Sequence, residues 1–143
     1  RGLEVFDVNV GAVAGAADLP HLNPQTVEQV FDTGLECDVY GTNGADRIVG
    51  TGNSEVICGF GGSDRIRGRG GDDTIYAFGG NDTVFGGPGD DLIEGGNRHD
   101  TLRGNAGSDA LRGGFGNDSL DGGADIDTCT GGAGADTEAN CEI

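Results

Sequence analysis

Acidic residues recur every nine positions through most of this chain. Asp64, Asp73, Asp82, Asp91, Asp100, Asp109, Asp118, Asp127 and Asp136 form one unbroken series, preceded by Asp46 and, at the single departure, Glu55. Each acid follows a short run rich in glycine, and most stand two positions before one aliphatic residue, as in GGPGDDLIE (residues 86–94). A carboxylate beside glycines leaves backbone carbonyls uncovered, and that is a donor set for a hard cation. Calcium takes about six to eight oxygens in flexible geometry, carbonyls included, whereas magnesium demands a tighter octahedron and keeps its waters.

The spacing belongs to a larger regularity. Cut every nine residues from Gly41, the sequence gives eleven copies over residues 41–139 with no insertion or slip. Position 1 is Gly in all copies but one, where Ala77 stands, and position 6 is Asp in all but the copy with Glu55. Position 8 is Ile, Val or Leu in the first nine copies, then Cys129 and Glu138. One apolar residue in nine cannot make an amphipathic helix, and each glycine would cost about 1 kcal/mol in one. Positions 7 to 9 suit a short strand with its middle side chain inward. Positions 1 to 6 suit a turn that needs glycine's backbone freedom.

The repeat matches GGxGxDxUx and resembles the RTX, or hemolysin-type, calcium-binding nonapeptide repeats over those eleven copies. The resemblance implies an all-β chain folded as a parallel β-roll, with two repeats per coil and therefore about 5.5 coils. Odd and even copies would stack on opposite sides. The inward residues would be Ile48, Ile66, Val84, Leu102 and Leu120 on one side and Ile57, Ile75, Ile93 and Leu111 on the other. It also implies ions between a turn and the next turn of its stack. Their ligands would be the position-6 carboxylates, Asp46 to Asp136 with Glu55 weak, and turn carbonyls such as those of Gly68, Gly70, Gly86, Gly87, Gly89 and Gly95. Disturbed turns at Asn53, at Arg98 with His99, and at Asp125 with Ile126 reduce the expected load to roughly five to eight Ca2+.

Composition agrees with a fold held by something besides apolar burial. The 143 residues include 31 Gly and 25 acids against 8 basic residues, for a net charge of −17, with 34% apolar content. Without a counter-ion such a chain is expected to stay unfolded. Calcium-dependent folding is the expectation. The acidity argues against nucleic acid and anionic membranes as partners. No stretch is long and apolar enough to span a bilayer.

Residues 1–40 fall outside the repeat and read as an N-terminal cap. "LEVFDVNVGAV" suits one or two short strands. "NPQTVEQVF" suits a short helix with Asn23 as N-cap and Pro24 at its first position. Residues 140–143 form a tail tied by Cys141. The four cysteines, Cys37, Cys58, Cys129 and Cys141, lack the paired spacing of a zinc site. Disulfides in an oxidising compartment are the preferred reading, with free thiols as the alternative. Three connectivities are open, of which the local one, Cys37–Cys58 and Cys129–Cys141, would staple both ends of the repeat.

The outward Arg47, Arg65 and Arg67 read as a solvated face paired with nearby acids, and Phe60 and Phe78 as a packed pair at the edge of the roll. No catalytic motif stands out, since His21 and His99 are isolated and no HExxH or G-x-S-x-G is present. The expectation is a secreted or cell-surface, monomeric, non-enzymatic calcium module, the mature form or an excised piece of a longer precursor. An accessory domain of a larger secreted enzyme or toxin, or a surface adhesion module, is the alternative.

Overall fold

The computed structural model describes residues 36–142, which contain strands and turns but no helix. The strands are β1 (Val39–Tyr40), β2 (Arg47–Val49), β3 (Val56–Cys58), β4 (Arg65–Arg67), β5 (Thr74–Tyr76) and β6 (Thr83–Pro88), followed by β7 (Leu92–Asn97), β8 (Thr101–Ala106), β9 (Ala110–Phe115), β10 (Ser119–Ala124), β11 (Thr128–Ala133) and β12 (Thr137–Ala139). They form two six-stranded parallel sheets, in the orders β11-β9-β7-β5-β3-β1 and β12-β10-β8-β6-β4-β2. This is a parallel β-roll. The register advances by eighteen residues without a slip, as in Ile48↔Ile66, Ile66↔Val84 and Leu92↔Ala110.

The sequence predicts about 5.5 coils, whereas the described strands make about six. The difference is β1, which lies ahead of Gly41 and pairs Val39 with Ile57 and Tyr40 with Cys58. Strand length is a second difference. β2 to β5 keep to positions 7–9, but β6 to β11 run on through positions 1–3 of the next copy. Pairs such as Phe115↔Ala133 and Gly87↔Asn105 carry the ladder into what reads from sequence as turn, so the later turns shrink to positions 4–6.

The core is the inward column expected from position 8. Ile57, Ile66, Ile75, Val84, Ile93 and Leu102 are fully buried, Leu111 and Leu120 nearly so, and Val39 and Cys129 close the ends. Where the series reaches Glu138, that side chain is exposed and its Oε2 accepts the Gly131 N–H at 2.7 Å. Disulfides join Cys37 to Cys58 and Cys129 to Cys141, the local pairing. Phe60 and Phe78 stack with ring centroids 5.4 Å apart and planes 6° from parallel. The strands and helix expected before residue 36 lie outside the described residues.

Candidate metal centres

The eighteen-residue register turns the sequence of aspartates into two columns, one on each side of the roll. Asp46, Asp64, Asp82, Asp100, Asp118 and Asp136 form one; Glu55, Asp73, Asp91, Asp109 and Asp127 form the other. Within a column, the backbone N–H of each acid donates to Oδ1 of the next: Asp64 to Asp82 at 2.7 Å, Asp73 to Asp91 and Asp82 to Asp100 at 2.8 Å. The same bond recurs from Asp46 to Asp64 and from Asp118 to Asp136. Each carboxylate thereby spends one oxygen holding the stack together.

The other oxygen has no partner. Oδ2 of Asp64, Asp73, Asp82, Asp91, Asp100, Asp109, Asp118 and Asp127 is buried without a hydrogen bond, and each of these residues is at most 3% exposed. A buried carboxylate with an unsatisfied oxygen is strongly disfavoured unless a cation compensates it. The electrostatics agree. Burial, with smaller contributions from column neighbours, pushes Asp64, Asp91 and Asp100 up to about 7 and Asp109 up to about 6, although the backbone bonds to Oδ1 pull the other way. Burial raises Asp73 and Asp82 as well.

The glycines shape the space around those oxygens. A Cβ on Gly68 or Gly86 would collide with Oδ2 of Asp73 or Asp91, and one on Gly95 would come within 2.5 Å of Asp100 Oδ2. Gly87 and Gly89 carry φ of 116° and 126°, and a Cβ there would strike the carbonyl oxygens of Arg69 and Gly71 on the coil before. Those carbonyls therefore face bare glycine. Gly70 differs, since a Cβ there would meet nothing closer than 3.8 Å. Arg98 and Asp125, which read as disturbances, hold the same left-handed backbone at φ 86° and 85°. The turn keeps its path despite them.

The turns of the first two copies are built differently. Thr42 donates both its N–H, at 2.6 Å, and its hydroxyl, at 2.9 Å, to Asp46 Oδ2. Thr51 does the same for Glu55, with its N–H on Oε1 and its hydroxyl on Oε2. These two acids are satisfied by their own turns. At the far end Asp127 donates its N–H to Glu142 Oε1 at 2.8 Å, so Glu142 closes the second column.

A second ladder, not anticipated from sequence, runs through position 5. Asn81 Oδ1 accepts the His99 N–H at 3.1 Å, His99 Nδ1 accepts the Asn117 N–H at 2.8 Å, and Asn117 Oδ1 accepts the Ala135 N–H at 3.0 Å. On the other side Ser54, Asp72 and Asp90 accept from Asp72, Asp90 and Ser108 in the same way. His99 is thus a rung of the stack. Asp72 and Asp90, beside the column acids, serve the turn backbone.

Among the described residues no three acidic, histidine or cysteine side chains converge on one point. A cation between coils would meet at most two carboxylates and complete its shell from carbonyl oxygens. Oxygen donors only, carboxylates with turn carbonyls, fit calcium and do not fit zinc or other borderline metals.

Two columns of buried carboxylates on a stacked parallel coil define the class of protein, a parallel β-solenoid with one acidic column on each side. The model for the RTX calcium-binding nonapeptide repeat matches residues 39–56, 59–93, 94–129 and 107–138, which is most of the chain. The chain belongs to that family, whose repeats bind Ca2+. No curated protein matches it, and no solved structure does.

Proposed function

We propose that this chain is a secreted, non-enzymatic calcium module that folds as calcium enters the gaps between its coils. The observation that carries the reading is the set of eight buried, unpartnered Oδ2 atoms. Consecutive members of that set, four in each column, flank three gaps apiece. The reading is six principal ions, within the range expected from sequence, with position-6 carboxylates and turn carbonyls as ligands. Each of Asp82, Asp100, Asp91 and Asp109 would then serve two ions. Asp46 and Glu55, held by threonines, would contribute least.

Bridging ions would replace repulsion along each column with attraction, and their shared carboxylates would couple neighbouring gaps into one cooperative unit. Two disulfides support an oxidising, extracellular setting, where calcium is abundant. The adjacent acids Asp72–Asp73 and Asp90–Asp91 serve the two ladders, which supports the non-enzymatic reading.

Calorimetric titration of the chelator-treated chain, run beside far-UV circular dichroism, tests the reading. About six ions should bind as the β signal develops. A full β signal in excess chelator, or binding without any change in signal, would refute it.

A further inference from the structure

The outer face of the sheet containing β2, β4, β6 and β8 concentrates positive charge on a strongly acidic chain. Arg47 on β2, Arg65 and Arg67 on β4 and Arg103 on β8 all point outward and are exposed; they are four of the eight arginines in the sequence. Arg47 lies directly beside Arg65 in register. Like charges so placed repel. Three guanidinium carbons gather around one ring, at 5.2 Å (Arg65), 5.6 Å (Arg67) and 5.8 Å (Arg103) from the centroid of Phe85.

The sequence leads one to expect that nearby acids neutralise these arginines. They do not. Among the described residues none of the four is in an ion pair, whereas Arg112 on the opposite sheet is bound to Glu94 at 2.9 Å. Asp121, in register with Arg103, instead accepts the Asn140 side-chain amide at 2.7 Å. Although the chain carries 25 acids, this dense cationic patch stays without an ion pair among the described residues.

We propose that this stripe binds a sulfated linear polysaccharide running along the axis of the roll. The patch is only two side-chain columns wide, positions 7 and 9, and spans four strands. That shape suits a single chain and not a plane of headgroups, which would also bring the acidic remainder against an anionic surface. Its repeat is the strand spacing, about 4.8 Å, close to the advance per ring of an equatorially linked sugar chain. An extended acidic peptide presents like-facing side chains about 6.7 Å apart and falls out of step. The column Arg67–Phe85–Arg103 offers cation, ring face and cation in turn, matching charged substituents on either side of a flat sugar C–H face. Three guanidiniums supply more donors than a carboxylate's two oxygens can use, and a sulfate ester presents three.

The test is fluorescence anisotropy of a labelled heparin oligosaccharide with the full chain in saturating calcium, with circular dichroism confirming the fold of every variant. Binding should weaken with salt and fall about tenfold or more in Arg65→Gln/Arg67→Gln/Arg103→Gln, while Arg112→Gln on the other sheet leaves it unchanged. Rescue by the corresponding triple lysine variant should be partial, because lysine lacks the fork. No binding by the folded chain, an equal loss in Arg112→Gln, or equal affinity for unsulfated hyaluronan, a single-stranded oligonucleotide, polyglutamate or phosphatidylserine vesicles would overturn the proposal. Because each variant's fold is checked in calcium, failure here is separable from failure of the calcium reading.

Discussion

Asp64 and Asp82 are joined by one hydrogen bond, from the Asp64 N–H to Asp82 Oδ1 at 2.7 Å, while the Oδ2 of each is buried without a partner. The two oxygens of each carboxylate thus do different work. One fixes the register of the coil, and the other is the oxygen that the proposed reading assigns to a cation. The difference can be separated by mutation.

Asp91→Asn keeps an oxygen for the Asp73 N–H, which is donated at 2.8 Å, but removes the charge beside two gaps. The calcium concentration at half-folding should rise about tenfold, a change of about 1.4 kcal/mol. Structure in chelator should be equal to or greater than that of the parent chain. Circular dichroism titration measures both, and an unchanged midpoint would count against Asp91 as a ligand.

Acid should substitute for calcium in part. Asp64, Asp91, Asp100 and Asp109 are raised by burial in the folded chain, to about 7 or 6, above the unfolded value of about 3.9. The calcium-free roll then binds more protons than the unfolded chain, so its stability is greatest below about pH 4 and is lost as pH rises towards about 7. In chelator, moving from about pH 8 to about pH 5 should increase β signal, and calcium affinity should fall over the same interval. Proton release on calcium binding near pH 6.5, read by calorimetry in buffers of different ionisation enthalpy, checks the sign.

Backbone geometry gives a matched pair. Gly87→Ala puts a Cβ into the Arg69 carbonyl at φ 116° and should cost about 2 kcal/mol or more in the calcium-loaded state. Gly70→Ala, with open space around it, should change stability by no more than about 0.5 kcal/mol. Thermal unfolding in calcium resolves the two.

The threonine-held first two copies should outlast the others when calcium is withdrawn. Thr42 and Thr51 satisfy Asp46 and Glu55 without a metal, and the Cys37–Cys58 disulfide ties the same end. Amide exchange in chelator should show residual protection near Val56–Cys58 and none near Ala110–Phe115. Thr42→Val should remove about 1 kcal/mol of that local stability.

The sequence carried the columns and the core because both follow from one period. Nine-residue spacing, with the doubled coil that the family resemblance implies, puts Asp64 over Asp82 and Ile66 over Val84. The position-5 ladder was hidden because Ser, Asn, Asp and His share no single chemistry except an acceptor at short reach, so His99 looked like an intrusion. Glu142 escaped because it stands fifteen residues from Asp127, not eighteen, and its longer side chain makes up the difference. Thr42 and Thr51 were a legible signal, since only the first two copies carry a hydroxyl at position 2. The unpaired arginines could not be read at all, because pairing depends on where exposed acids point.

The strict alternation of copies between two sheets also constrains how such a gene can change length. Loss of one nonapeptide, for example residues 68–76, would leave every remaining motif intact yet transfer all that follows to the opposite wall. Phe85 and Arg103 would part from Arg65 and Arg67, and Phe78 from Phe60. Duplication or deletion by pairs preserves these neighbours, so the heritable unit of this protein is the eighteen-residue coil, and single-repeat variants should be counted as rearrangements of its surface.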